Sequence, residues 1–342
     1  MSKTVLITGL SGFIAKHVAL RALAEGHRVR GTVRDLATAG ALEGTLERAG
    51  ADLSSLELAQ ADLQADEGWI DAVRGVDYVL HIASPFPLKQ PSGRLDLVPP
   101  ARDGTLRVLR TVKDAGDSVE RVVLTSSMAA MMYRPDRARH FAVREEDWTD
   151  IDWPPASAYV ISKTVAERAA WEWARENDFT EKLAAINPGL VLGPALDTKS
   201  ATSIEVIRLI MRGAYPALPP AYFGVVDVRD VAALQLAALT APDTRGRRLI
   251  ACESPMSMTE MAALLKQTFP ERGKKIPSLT LPAAAVRGLA LFDRSLKTVL
   301  ADMNVAPDAQ NEYVTELTGV RFRPAREAVI AAGQSLIDLG VV

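Results

Sequence analysis

A turn built on two glycines lies near the start of the chain and constrains its fold more than any other segment. Val5 to Thr8 has the composition of a strand and Phe13 to Glu25 has the spacing of a helix, and the turn joins them. Gly9 permits a tight turn, Gly12 lets a ligand approach the backbone amides, and the small Ala15 lets the helix pack on the strand. The sequence therefore predicts a dinucleotide-binding unit with a pyrophosphate at the helix N-terminus; the alternative is a plain tight turn.

The first two thirds of the chain alternate short β-branched runs with longer helical stretches. Parallel strands that are buried on both faces and joined by crossover helices have this pattern. Further strands are predicted at 28–33, 56–61, 76–83, 121–127 and 183–187, and further helices at 106–115 and 157–177. We therefore expect an α/β fold with a Rossmann-type doubly wound parallel sheet, in which ligands bind beyond the carboxyl ends of the strands.

The character of the sequence changes after Pro188, where prolines become frequent and strand-like segments become isolated. This change predicts a smaller C-terminal substrate lobe. Two apolar segments, 223–226 and 248–251, are expected to return to the main sheet, so the lobe would be interleaved with the first domain. The predicted NADP-binding domain is 1–190 plus about 222–252, and the predicted substrate lobe is 191–221 plus 253–342.

Charge and cysteine content exclude several classes of function. The 40 basic and 42 acidic residues give a formal net charge of -2, so no positive field attracts nucleic acid or an anionic membrane. One cysteine, Cys252, excludes an internal disulfide, and the four histidines lack the spacing of metal ligands. No signal peptide or bilayer-crossing run is recognisable. We expect a cytoplasmic protein that binds no metal, nucleic acid or membrane.

The second predicted strand ends in Arg34, where an NAD-selective site needs an acid to bind the ribose hydroxyls. A guanidinium cannot accept those hydrogen bonds, but its planar array of donors fits a 2′-phosphate, which favours NADP. The alternative is that one face of the strand is simply polar, with Arg28, Arg30, Thr32 and Arg34. Asp62, at the end of the third strand, could bind the adenine amino group or cap the next helix.

A tyrosine and a lysine four residues apart, Tyr159 and Lys163, lie on one face of the predicted helix 157–177. An ammonium beside a phenol stabilises the phenolate, so we expect the pKa of Tyr159 to be lowered into a range that suits acid–base catalysis. The pair alone is a weak signal, because many amphipathic helices contain it. Ser126 and Ser127 end a buried strand, where they could present a hydroxyl to a substrate carbonyl or cap the next turn.

With these elements in this order, the sequence resembles the short-chain dehydrogenase/reductase superfamily, and the spacing of Gly9, Gly12 and Ala15 is similar to that of its extended branch. Three stretches are similar to plant dihydroflavonol 4-reductases, cinnamoyl-CoA reductases and microbial aldehyde and ketone reductases: His81–Pro85, Asn187–Pro194 and Val226–Ala232. The resemblance is densest between residues 4 and 232. It implies hydride transfer from NADPH to a carbonyl carbon, with Tyr159 protonating the developing alkoxide.

The resemblance also implies a role for each matching residue. Tyr159 would donate the proton. Lys163 would tune Tyr159 and bind the nicotinamide ribose, and Ser127, rather than Ser126, would orient the carbonyl. The other residues implied to bind NADP(H) are Thr8, Gly9, Ser11, Gly12, Phe13, Ile14, Arg34, Asp62, Leu63, Ile82, Ala83, Ser84, Pro188 and Val191. Many extended members also carry an asparagine that supports a proton relay, and the matching segment 100–105 has none. The path of the relay is therefore open.

The expected substrate is a small carbonyl or alcohol compound. A set of apolar, mostly aromatic residues falls on loops or lobe segments that could cover the crevice, which predicts a hydrophobic, aromatic substrate; the alternative is that they form the core of the lobe. They are Phe86, Met131, Met132, Tyr133, Trp153, Tyr215, Tyr222 and Phe223. Stereochemistry, reaction direction and the choice between monomer and homodimer are left open.

Other functions of the same fold compete with this one. A nucleotide-sugar epimerase shares the Ser, Tyr and Lys set, but Arg34 argues against it, because an enzyme that retains its cofactor needs no phosphate selectivity. A sugar dehydratase would need an acid pair where this chain has Met128 and Ala129. A protein that senses NADP without turnover is a further alternative, which the intact catalytic set disfavours.

Overall fold

The computed structural model describes residues 2–84, 93–116, 118–198, 202–291 and 299–342. Its strands are β1 (Thr4–Ile7), β2 (Arg28–Val33), β3 (Leu56–Gln60), β4 (Tyr78–His81), β5 (Arg121–Thr125), β6 (His140–Val143), β7 (Leu183–Pro188), β8 (Leu190–Leu192), β9 (Tyr222–Asp227), β10 (Arg248–Ala251), β11 (Ser254–Ser257) and β12 (Ala306–Ala309). Its helices are α1 (Phe13–Ala24), α2 (Ala39–Arg48), α3 (Trp69–Val73), α4 (Val98–Asp114), α5 (Ala158–Glu176), α6 (Thr202–Arg212), α7 (Val228–Thr240), α8 (Met258–Thr268), α9 (Ala283–Leu289), α10 (Glu312–Thr318) and α11 (Ala325–Asp338).

Seven strands form one parallel sheet in the order β10-β7-β5-β4-β1-β2-β3. The order reverses at β1, which pairs with β2 on one side and β4 on the other. Val5 and Ile7 of β1 pack with α1 and α7 on one face of the sheet, and Leu6 packs with α4 and α5 on the other. Helices on both faces explain why the strands are continuous apolar runs. The predicted Rossmann-type doubly wound fold is confirmed.

A smaller sheet of the order β11-β9-β8 lies in the C-terminal half. Strand β9 runs parallel to β8 and antiparallel to β11. A Cβ atom on Gly189, between β7 and β8, would lie 2.1 Å from the carbonyl oxygen of Gly224, so only glycine lets these backbones approach. The prediction that 223–226 returns to the main sheet is therefore wrong, although 248–251 does join it as β10. An apolar run indicates a buried strand but not the sheet to which it belongs.

Helix α4 begins at Val98 rather than at the predicted Leu106. Pro99 and Pro100 occupy its first turn, where a missing N–H costs no intrahelical hydrogen bond. The helix packs along α5, which carries the predicted tyrosine and lysine. None of the described helices is long and apolar enough to cross a membrane.

Candidate active site

The glycine turn connects β1 to α1 at the carboxyl edge of the main sheet. Gly9 has a φ of 66°, and a Cβ atom there would lie 2.9 Å from the Cβ atom of Ala83, so a larger residue would be strained. The Gly9 amide donates to the Thr32 hydroxyl at 2.9 Å, which ties the turn to β2. Gly12 precedes α1, and no described side chain caps that helix. Amides at the start of α1 can therefore bind an anionic group.

The residues around this turn lie at the ends of β1 and β4, which are neighbours in the main sheet. The buried Thr8 hydroxyl accepts hydrogen bonds from the amides of Ile82 (3.0 Å) and Ala83 (2.9 Å), which holds the two strand ends together. Other predicted cofactor residues are at least partly accessible at this edge: Ser11, Gly12, Phe13, Ile14, Ile82, Ala83 and Ser84. The structure thus brings the predicted pyrophosphate and ribose residues to one place. The Thr8 hydroxyl, however, is already hydrogen-bonded to groups of the protein.

Arg30, within β2, and Arg34, directly after its end, have different surroundings. The guanidinium of Arg30 binds the Glu57 carboxylate (2.9 Å) and the carbonyl oxygens of Ala72 (3.0 Å) and Arg74 (2.7 Å). Arg34 is exposed and makes no hydrogen bond or ion pair with any residue that the structure describes. Its donors are therefore free to bind a phosphate, whereas those of Arg30 hold the protein together.

Asp62 and Leu63 follow the end of β3, next to the end of β2. One carboxylate oxygen of Asp62 accepts a hydrogen bond from the Gln64 amide at 3.0 Å, which caps the turn after the strand. Its carbonyl oxygen accepts from the Trp69 indole at 2.8 Å. Leu63 is buried against α4. Asp62 thus caps a turn and not the next helix, α3, which Gly68 precedes without a side-chain cap; a contact of Asp62 or Leu63 with adenine stays a prediction.

The three predicted catalytic residues come from two elements. Ser127 follows β5 and begins a 3₁₀ turn over Met128–Ala130, in which its hydroxyl accepts from the Ala129 amide at 3.1 Å. Tyr159 and Lys163 lie in the first turns of α5, and both are half-buried. A hydrogen bond joins the side chains of Ser127 and Tyr159. The structure therefore brings the serine and the phenol together, with the lysine one helical turn further along.

The predicted lowering of the pKa of Tyr159 is wrong. Loss of water around the phenol raises its pKa, and the hydrogen bond with Ser127 offsets this rise only in part. Loss of water also lowers the pKa of Lys163 to about 8, although the negative charge of Glu167 acts to raise it. Desolvation is the largest cause of both pKa shifts. It raises the pKa of the phenol and lowers that of the ammonium because it penalises whichever form carries the charge. A phenol with a raised pKa is protonated at neutral pH and available as a proton donor.

Ser126 is bound in a different way from Ser127. The Ser126 hydroxyl donates to the buried carboxylate of Glu167 at 2.5 Å, so it points away from Tyr159. The Asn187 side-chain amide donates both to Glu167 (2.8 Å) and to the Ser127 carbonyl oxygen (3.2 Å). This arrangement favours Ser127 as the serine that meets a substrate.

Sequence reasoning missed two residues of this network, Glu167 and Arg248, which form a buried ion pair at 2.6 Å. The spacing of four between Lys163 and Glu167 was the available signal for Glu167, since it places both on one helix face. Arg248 gave no such signal, because it lies 81 residues from Glu167 in the chain.

The predicted substrate-side residues separate into groups. Four of them pack in one cluster with Tyr159: Met131, Met132, Tyr133 and Trp153. Phe223 packs in a different cluster of the C-terminal half, and Tyr215 and Tyr222 are half-buried. Phe86 lies outside the described residues. Of the residues predicted to line the nicotinamide, Pro188 ends β7 and Val191 lies in β8, and both are buried or nearly so.

Comparisons with known proteins agree on one family. The model of the NAD dependent epimerase/dehydratase family matches residues 5–251. The NADPH-dependent methylglyoxal reductase GRE2 of Saccharomyces cerevisiae is 34% identical over 293 residues, which cover 80% of this chain and 85% of that protein. Cinnamoyl-CoA reductase 1 of Arabidopsis thaliana is 38% identical over 279 residues, covering 79% and 76%.

A solved structure has the same architecture over the full length of the chain. The yeast methylglyoxal/isovaleraldehyde reductase Gre2, crystallised with NADPH, superposes with a TM-score of 0.81 at 30% sequence identity. The superposition covers 99% of this chain and 100% of that one. Both the main sheet and the C-terminal half therefore have counterparts in that reductase.

Proposed function

The chain belongs to the NAD dependent epimerase/dehydratase family, within the extended short-chain dehydrogenases/reductases, and we propose that it is an NADPH-dependent reductase of aldehydes or ketones. The observation that carries this proposal is the hydrogen bond between Ser127 and Tyr159, with Lys163 one turn further along α5. The reductase names of the relatives support the same reaction class. A single cysteine, Cys252, fits a cytoplasmic location, which we propose on composition alone.

The residues present fit NADP(H). The start of α1, which no described side chain caps, suits a pyrophosphate bound by backbone amides, with Gly12, Phe13 and Ile14 around it. Arg34 would bind the 2′-phosphate. Of the remaining predicted contacts, those between Asp62 and Ser84 and Pro188 follow strand ends of the main sheet, whereas Val191 lies in β8 of the smaller sheet. When bound, NADPH supplies the hydride.

The chain's own residues would handle the proton and the carbonyl oxygen. Tyr159, protonated because its pKa is raised, would donate its phenolic proton to the oxygen as negative charge develops there. Ser127 would donate a hydrogen bond to the same oxygen and hold it in place. Lys163, whose pKa is about 8, is mostly charged at neutral pH and would stabilise the phenolate that remains.

We propose a hydrophobic, aromatic substrate that contacts the cluster beside Tyr159. Trp153, which is half-buried in this cluster, would offer aromatic surface next to the phenol, whereas Met131 and Met132 are buried in its core. Residues 1–190, together with α7 and β10 of the returning segment 222–252, would carry the cofactor. The segments 191–221 and 253–342 would form the substrate lobe, with β9 assigned to the sheet of that lobe.

The test is the oxidation of NADPH and NADH by the purified protein, followed by absorbance, with a panel of aromatic and aliphatic aldehydes and ketones. We expect oxidation that requires a carbonyl compound, prefers NADPH and is faster with aromatic compounds. If neither cofactor is consumed with any compound although NADP binds, the reductase proposal fails. An epimerase, tested with nucleotide sugars, or a non-catalytic NADP sensor would then take its place.

A further inference from the structure

A buried carboxylate, Glu167, lies one helical turn beyond Lys163 on α5. It is 1% exposed and accepts hydrogen bonds from the Ser126 hydroxyl (2.5 Å), the Asn187 amide (2.8 Å) and the Trp171 indole (3.3 Å). A buried carboxylate is costly unless it is paired and hydrogen-bonded, and this one has both kinds of partner. The molecule therefore maintains a negative charge beneath its candidate active site.

The partners of Glu167 include the segment that presents the catalytic serine. Ser126 precedes Ser127, and Asn187 donates simultaneously to Glu167 and to the carbonyl oxygen of Ser127. Glu167 therefore accepts a hydrogen bond from the residue before Ser127 and another from Asn187, the residue that binds the Ser127 carbonyl oxygen. This support orients the Ser127 hydroxyl, which meets Tyr159.

The charge of Glu167 also acts on Lys163. It opposes the desolvation that lowers the pKa of the lysine, and it is the one charge that raises this pKa among the described residues. His81 of β4 also acts electrostatically with Lys163, but the pKa of His81 is lowered to about 3, chiefly by burial, so its ring is neutral and contributes no charge. Tyr159 shares the helix face and is neutral as well.

Two arginines of α4, the helix that packs along α5, form ion pairs with other carboxylates. On the neighbouring α4, Arg102 pairs with Asp103 and Arg107 pairs with Asp66, a residue of the exposed turn before α3. The 3₁₀ turn after Ser127 has no ionisable side chain. Among the described residues, Glu167 is therefore the charge that opposes the desolvation of Lys163.

Arg248 holds the carboxylate in this position. Its guanidinium binds Glu167 at 2.6 Å and the carbonyl oxygens of Glu145 (2.8 Å) and Asp147 (2.6 Å), and it lies 3.8 Å from the centroid of the Trp148 ring. These contacts fix the arginine independently of Glu167. The segment 145–148 thus has a structural role as the support of this arginine.

We propose that Glu167 is a positioning residue of the reaction, which keeps Lys163 protonated and fixes Ser127, while Arg248 fixes Glu167. This inference rests on the proposed reductase function. The variant Glu167→Gln keeps a hydrogen-bond acceptor for Ser126 but removes the charge. Asp230→Asn is the matched control, because Asp230 is also a buried helical carboxylate paired with an arginine, Arg323, and does not act on Lys163.

Lys163 can be titrated directly by NMR in protein labelled with 13Cε-lysine, with the resonance assigned by Lys163→Met. We expect a midpoint near pH 8 in the wild type, a midpoint lower by about one pH unit in Glu167→Gln, and no change in Asp230→Asn. An unchanged Lys163 midpoint in Glu167→Gln overturns the inference. This readout needs no turnover, so it stays decisive even if the wild type reduces no carbonyl compound and the proposed function fails.

Kinetics supply the second readout. If the protonated fraction of Lys163 limits kcat, a midpoint that falls by one unit lowers kcat about fivefold at pH 8 but less than about twofold at pH 7, with KM unchanged. A loss of equal size at both pH values would indicate a structural role only and overturn the inference. If Glu167→Gln does not fold, Glu167→Gln/Arg248→Met removes both buried charges, and its Lys163 midpoint should still lie below that of the wild type.

Discussion

Replacement of Arg34 by alanine tests whether this residue selects NADPH. The side chain is exposed and makes no hydrogen bond or ion pair with any described residue, so the substitution should remove only a ligand contact. A surface change of this kind alters the free energy of unfolding by less than about 0.5 kcal/mol. The melting temperature of Arg34→Ala should therefore match that of the wild type.

The expected effect on cofactor binding follows from the charge and exposure of the residue. A hydrogen bond to a charged group contributes about 1.5–3 kcal/mol, and solvent screening at an exposed site favours the lower end of that range. We expect kcat/KM for NADPH to fall about tenfold to thirtyfold in Arg34→Ala, while kcat/KM for NADH stays within about twofold. The NADPH preference of the wild type should also weaken as salt concentration rises.

Arg30→Ala, within β2, is the matched control for the residue that follows this strand. Its guanidinium binds Glu57 and the carbonyl oxygens of Ala72 and Arg74, so its loss should lower the melting temperature. Steady-state kinetics with both cofactors should show an unchanged NADPH/NADH ratio in this variant. If Arg34→Ala leaves the ratio unchanged, or if Arg30→Ala alters it equally, the 2′-phosphate is bound elsewhere and the reasoning is refuted.

Two further substitutions test the catalytic residues. Tyr159→Phe removes only the hydroxyl, so kcat should fall at least about 100-fold while the Kd for NADPH, measured by fluorescence titration, changes little; near-normal turnover would mean that another group donates the proton. Ser127→Ala should lower kcat more than Ser126→Ala, which should mainly lower the melting temperature because Ser126 binds the buried Glu167; the reverse order would assign the carbonyl to Ser126.

Much of the architecture could be read from short segments of sequence. The strand, glycine turn and helix that begin the chain are specified by neighbouring residues, because Gly9 needs a positive φ and the apolar period changes directly after it. The same applies to α5, where the spacing of four places Tyr159 and Lys163 on one face. Periodicity and turn chemistry depend on residues a few positions apart, so the sequence displays them directly.

Other features depended on contacts between distant segments. The run 223–226 was recognisable as a strand, but its pairing with β8 and β11 depends on the close approach of Gly189 and Gly224. Arg30 lies in β2 and Arg34 directly follows it, and only their surroundings show that Arg30 is engaged while Arg34 makes no hydrogen bond or ion pair with a described residue.

The candidate active site shows the same division. The sequence by itself determined which residue types follow each strand and that Tyr159 and Lys163 share one face of α5. The approach of Ser127 to Tyr159 required the packing of α5 on the turn after β5. The tertiary structure alone decided that the pKa of Tyr159 is raised and that Arg248 reaches Glu167 across 81 residues of chain. Desolvation and ion pairing depend on every atom that surrounds a group in space, and spacing along the chain does not record those atoms.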